Sequence, residues 1–178
     1  MVNFPPLPVL TRIPLLARMI FYCLFFLAFV LGLLPWLAYR LDVHFPGLHV
    51  EIGGGRAGGW VVFAAFLAVY LYCSYQLITR GRGAYVEFDP PTEFVAQGPY
   101  RWVRNPIAAC VVGMVFGLAV ALSSTGILLL ALIGVPLAHA QVVLLEEPLL
   151  RKRFGAAYEN YLRRVPRWIP RRPAKDPP

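Results

Sequence analysis

Two adjacent carboxylates, Glu146 and Glu147, close a stretch of about 40 residues that is nearly free of charge, and a strongly basic tail follows them. Where a membrane helix leaves the bilayer an acid still reaches water, whereas at the bilayer centre the same charge costs at least ~2.5–3.5 kcal/mol. His139 stands seven residues before Glu146, two helical turns back and on roughly the same face. At the other end of the apolar stretch lie Arg101, Arg104 and Asn105. Asn105 is a good helix N-cap and Pro106 suits the first helical position, so a helix is predicted to begin there with its free N–H groups outward. A helix N-terminus flanked by two arginines can seat a carboxylate or a phosphate, and interfacial anchoring is the alternative for the same arginines. If the apolar stretch folds back on itself, anion-binding donors and two acids stand near one another.

Composition names the kind of element that must hold them. The 178-residue chain is 58% hydrophobic and 15% charged, with a mean hydropathy of +0.61. That balance excludes an ordinary soluble domain and indicates an integral membrane protein. Cys23, Cys73 and Cys110 fall in apolar segments without metal-ligand spacing, and read as reduced packing residues, with no metal site. The net charge of +8 is explained by attraction to anionic lipid and by the orientation rule, so nucleic acid is not an expected partner.

The expected fold is a single all-α membrane domain over residues 1–178, with about four transmembrane helices. The first span, 14–40, has no charge between Arg18 and Arg40 and reaches the ~20 residues that crossing requires. Its apolar run is too long for a signal peptide, and Pro35-Trp36-Leu37 is a poor cleavage site. The second, 59–80, opens at Trp60 and carries Tyr70, Tyr72 and Tyr75 toward its far end, as interfacial rings do. A cytoplasmic connection, 81–105, leads to a C-terminal helical hairpin of spans 106–122 and 125–146. Ser123-Ser124-Thr125-Gly126 reads as the turn that ends one arm and caps the next. Gly113 and Gly117 let two helix backbones approach closely. Pro136 is expected to kink the second arm, and His139 and Gln141 after it form a polar face that points into protein or a cavity.

Beyond the hairpin, Leu149, Leu150, Phe154, Tyr158, Tyr161 and Leu162 recur at spacings of three or four, which predicts an amphipathic helix over 148–165. It lies on the membrane surface or folds back over the bundle. The basic tail, 166–178, is expected to be extended or disordered. Nine Lys and Arg residues from Arg151 to Lys175 keep this end in the cytoplasm. Four spans put the N-terminus there too, in agreement with Arg12, Arg18, Arg80, Arg82, Arg101 and Arg104. The connection from Leu41 to Gly59, with Asp42, His44, His49, Glu51 and no ligand pattern, is left as a flexible external loop. The short compact chain suggests a bacterial inner membrane.

The run GPYRWVRNP from Gly98 to Pro106, then LLEEP, RFGAAYENY and VPRWIP resemble, in that order and spacing, the C-terminal half of the membrane methyltransferases that use S-adenosylmethionine. That group includes isoprenylcysteine carboxyl methyltransferases and phospholipid N-methyltransferases, and the resemblance covers about Gly81 to Arg171. By position it implicates Gly98, Pro99, Tyr100, Arg101, Arg104, Asn105, Pro106, His139, Glu146 and Glu147 around the cofactor, with Tyr158, Tyr161, Arg167 and Trp168 in the tail that closes over it. Where the family commonly continues Met-Tyr-x-Gly after Arg-Asn-Pro, this chain has Ile107-Ala108-Ala109-Cys110. The smaller Ala108 reshapes the pocket, so no relative's acceptor transfers directly.

The resemblance implies methyl transfer from S-adenosylmethionine to a lipophilic acceptor at the cytoplasmic membrane face: an isoprenylcysteine-like carboxylate, a lipid amine or a small thiol. The catalytic candidates are Arg104, His139 and Glu147. Arg101 or Arg104, with the helix N-terminus, would hold the cofactor's carboxylate, and Glu146 or Glu147 its amino group or ribose hydroxyls. His139 would orient the cofactor or accept a proton, an interhelical hydrogen bond being the alternative. Two other readings stand beside this one. Some sterol reductases share the helical arrangement, which allows an NADPH-dependent membrane reductase, although Gly81-Arg82-Gly83 has neither a preceding strand nor a third glycine in register. The last is a non-catalytic membrane binding or assembly protein.

Overall fold

The computed structural model describes residues 12–46, 51–82 and 91–171, and among them there is no strand. His49, Gly83, Arg172 and Lys175 lie outside the described residues, as does the end of the basic tail. Helix α1 is Leu15–His44 and α2 is Gly55–Gly81. Helix α3 is Pro106–Ala121, α4 is Thr125–Phe154 and α5 is Ala156–Arg164.

Three helices, α1, α2 and α4, with 30, 27 and 30 residues, are long and apolar enough to cross a membrane. Phe21, Leu24 and Phe25 of α1 and Leu132, Ile133 and Leu137 of α4 are exposed, as apolar side chains are when lipid is their solvent. Helix α3 is equally apolar but has only 16 residues. At 1.5 Å per residue it extends about 24 Å, less than the ~30 Å hydrocarbon core.

The chain divides into two compact units. One holds Cys23–Tyr70 and Ala108–His139. Its core packs Val115, Leu118 and Ala119 of α3 against Ala38 of α1 and Ile127 and Ala131 of α4. Small residues bring backbones together, since a Cβ on Gly117 would stand 2.7 Å from the Phe63 nitrogen and one on Gly113 2.6 Å from the Phe66 ring. The hairpin turn is capped twice. Ser124 Oγ accepts from the Ile127 N–H at 3.1 Å and donates to the buried Asp42 carboxylate. Asp42 Oδ1 also accepts from the Gly126 N–H at 2.8 Å, so two orphan donors at the start of α4 are satisfied. The helix runs on past Pro136.

The other unit holds Met1–Tyr22, Leu71–Ile107 and Ala140–Pro178. Its first cluster is Cys73, Leu77, Val95 and Tyr100; its second is Ala96, Tyr158, Tyr161 and Val165. The Gly81 carbonyl accepts from the Thr92 and Glu93 N–H groups, at 2.9 and 3.1 Å, which holds the segment after residue 90 against the end of α2. A single amphipathic helix over 148–165 is expected from the sequence, but here the chain breaks at Gly155, whose φ of +52° is open to glycine at least cost. Glu147–Phe154 therefore continues α4, and α5 starts separately at Ala156.

Candidate active site

A π-helical turn, Val142–Glu146, lies within α4 just before Glu147. Its wider winding turns each residue through less angle than an α-helix does, so the seven-residue α-helical count from His139 to Glu146 does not carry through it. The turn leaves the two acids in different surroundings. Glu146 is half-buried and accepts from Gln141 Nε2 at 3.3 Å. Glu147 is only 1% exposed.

Three guanidinium groups meet the buried Glu147 carboxylate. Arg167 approaches in fork geometry, Nε to Oε1 at 2.8 Å and Nη2 to Oε2 at 3.1 Å. Arg104 Nη1 donates to Oε1 at 3.2 Å, and Arg151 Nη2 lies 3.7 Å from Oε2. Arg151 is shared with Glu159, at 3.1 Å. Three cations thus face the one buried carboxylate, and Arg151 divides its contacts between Glu147 and Glu159. A buried carboxylate is tolerated on these terms alone, because its desolvation must be offset by close and well-aligned partners. The same pairing, led by the hydrogen bonds from Arg167, raises the Arg167 pKa above its ordinary value.

Residues 165–171 form a strap that fixes Arg167. The Arg104 N–H donates to the Pro166 carbonyl at 2.9 Å, the Arg171 N–H to Trp102 at 3.4 Å, and Asn105 Nδ2 to the Arg167 carbonyl at 3.5 Å. Helix α5 carries the strap and is itself anchored. Tyr161 Oη donates to the Tyr100 carbonyl at 2.7 Å, and Phe94 meets the Tyr161 and Tyr158 rings edge-on, with centroids 5.0 and 5.8 Å apart. Burial, with the neighbouring Glu147 charge, pushes the Tyr158 phenol up to about 12. Burial pushes Tyr161 up as well.

The unit therefore brings together Tyr100, Arg104, Asn105, Glu147, Tyr158, Tyr161 and Arg167. Gly98, Pro99 and Arg101 belong to the short turn Gly98–Arg101 that leads into this cluster, and Pro106 opens α3 as the sequence predicts. Trp168 is half-buried in the strap. His139 is exposed and belongs to the other unit. Sequence reasoning misses Arg151, which it counts only as a basic residue, although its i+4 spacing from Glu147 was a legible signal. It also misses Phe94, whose contacts come from residues 60 and more positions away and leave no local trace.

Two further groups nearby in the chain have bonding capacity to spare. Among the described residues, the buried Nε atoms of Arg101 and Arg104 have no hydrogen-bond partner. Cationic donors held in place with bonding capacity to spare suit an anionic group.

A family model described as phospholipid methyltransferase matches residues 57–157, more than half of the chain. The chain belongs to the phospholipid methyltransferase family. Neither a curated protein nor a solved structure matches it. The phospholipid methyltransferase match takes in α2 from Ala57 onward, the Gly98–Pro106 segment, α3, and α4 with Glu146 and Glu147. It stops before Tyr158, Tyr161, Arg167 and Trp168, so the part of the strap in this phospholipid methyltransferase family member rests on geometry.

Proposed function

We propose that this protein transfers a methyl group from S-adenosylmethionine to the polar head of a membrane lipid, at the cytoplasmic face of a four-span bundle. The observation that carries the reading is the Glu147 cluster. Within the residues that the family match covers, Glu147 is buried against Arg104, and the Nε–H groups of Arg101 and Arg104 have no partner among the described residues, which supports a site for an anionic group. When bound, S-adenosylmethionine supplies an electrophilic methyl group on a sulfonium.

The chain's own residues have separable tasks. Arg104, with Arg101, holds the cofactor's carboxylate through the Nε–H donors left without a partner among the described residues. Glu147 keeps Arg104 and Arg167 in position, and Glu146, the more accessible acid, takes the amino group or the ribose hydroxyls. The strap excludes water from the site, which matters because an in-line displacement depends on alignment and desolvation more than on proton transfer. The assignment of His139 to the acceptor's proton rests on the sequence alone.

Calorimetry on the detergent-purified protein tests this. S-adenosylmethionine is expected to bind at micromolar concentration, and both Glu147→Gln and Arg104→Ala are expected to weaken it at least tenfold. Unchanged affinity in both variants, or stabilisation by NADPH and not by S-adenosylmethionine, would overturn the reading.

A further inference from the structure

At the end of α2, in the same unit as the Glu147 cluster, Gln76 is only 4% exposed. Its Nε2 donates to Tyr72 Oη at 2.8 Å. Among the described residues its Oε1 is buried without a hydrogen-bond partner. Exchanging the amide oxygen and nitrogen does not remove the problem, because one end of the amide is left over either way. A buried amide that gains only half of its bonds is destabilising, and such a group in a native protein calls for an explanation. The helix end around it is packed with Cys73 and Leu77 and with Ser74, whose buried Oγ also has no partner among the described residues; at the Gln76 position an apolar residue would be the stabilising choice.

The position of the pair suggests the explanation. A Cβ on Gly98 would stand 3.0 Å from Gln76 Nε2 and 3.4 Å from Tyr72 Oη, so the amide and phenol rest on the backbone of the turn that carries Arg101. That glycine has φ +58°, a conformation that few other residues adopt. Tyr72, in contrast, is 48% exposed, on a helix long and apolar enough to have lipid at its surface. The pair thus runs from a lipid-accessible ring to a buried carbonyl against the Gly98–Arg101 turn, in the unit that holds the candidate active site.

We infer that Gln76, assisted by Tyr72, is the subsite that binds the acceptor's polar head. Gln76 Oε1 accepts a hydrogen bond from an N–H of a phospholipid amine that enters past the Tyr72 ring. This rests on the methyltransferase reading above. It makes Gln76 a specificity-determining residue, because a fully methylated ammonium has no N–H left to donate and a site built around such a bond discriminates strongly.

The test uses the full-length protein in nanodiscs of phosphatidylcholine with added phosphatidylethanolamine. Native mass spectrometry reads which lipid is retained, methylation kinetics give KM for phosphatidylethanolamine, and calorimetry gives the affinity for S-adenosylmethionine. The wild type is expected to retain phosphatidylethanolamine over phosphatidylcholine. Gln76→Leu is expected to lose that preference and raise KM at least tenfold while cofactor affinity holds; Tyr72→Phe should move both readouts in the same direction by less. If Gln76→Leu does not fold, Tyr72→Phe decides alone. An unchanged preference and KM in the folded variants, or a parallel loss of cofactor affinity, overturns the inference and leaves the methyltransferase reading standing. A wild type that binds no S-adenosylmethionine overturns that reading itself.

Discussion

Glu147 and Tyr158 show how a charge and a hydroxyl share one interior. The phenol is buried and faces the carboxylate, so its ionised form is doubly disfavoured and its pKa stands at about 12 against an ordinary 10.0. A pKa raised in the folded state contributes stability that is complete below the unfolded value and is lost as pH rises through the folded one. Thermal stability in detergent is therefore expected to fall between about pH 10 and 12, and Tyr158→Phe is expected to flatten that fall. An identical pH profile in the variant would contradict it. At this scale the sequence was informative where chemistry is local. Of the motif residues, Arg104 reaches Glu147 and Asn105 reaches the Arg167 carbonyl, but this division of labour was not legible. Nothing in the spacing says that Glu147 is surrounded by three guanidiniums, because two of them arrive from residues 43 positions before it and 20 after it.

Elements are legible when their ends are marked. Asn105-Pro106 and Ser123-Ser124-Thr125-Gly126 state a start and a turn in residue chemistry, and α3 and α4 begin there. The π-helical turns at Ala28–Leu33, Leu77–Gly81 and Val142–Glu146 carry no such mark, since a widened turn is chosen by packing and not by local propensity. Asp42 is similarly silent: it caps a turn 82 residues away and reads in sequence as one acid in a loop. Close packing by Gly113 and Gly117 was visible from their spacing, and it yields a prediction. Gly117→Leu would drive a side chain into the Phe63 backbone, where a Cβ alone would come within 2.7 Å of the nitrogen. Neither backbone can yield without parting the helices, so the variant is expected to lose several kcal/mol of stability, more than the ~1–3 kcal/mol typical of core overpacking. Thermal unfolding of the purified variant, compared with Gly134→Leu, checks this, because among the described residues, its own helix backbone and chain neighbours aside, nothing lies within 4 Å of a Cβ at Gly134.

For the whole molecule, α3 is the helix whose length and hydropathy pull apart. Its sequence is apolar throughout, and hydropathy alone counts it as a span. Its length of 16 residues is legible only once its ends are fixed. A helix that short crosses by thinning the bilayer or by drawing on flanking residues, each at modest cost. On the four-span proposal, single cysteines placed near Arg12 and near Arg171, in a background without Cys23, Cys73 and Cys110, are both expected to react with an impermeant maleimide only from the cytoplasmic side. Labelling from opposite sides would mean that α3 does not cross. The membrane class was plain from composition, since apolar surface of this extent has few other uses. The division into two units was not, because each gathers segments from distant stretches of chain.

Arg167 is synthesised after every helix that it helps to tie together. Until it emerges, the Glu147 carboxylate has at most Arg104 and Arg151 for company, and the stretch ending at Phe154 must be handed to the membrane with that acid only partly compensated. Completion of the site is thus a late event in biogenesis.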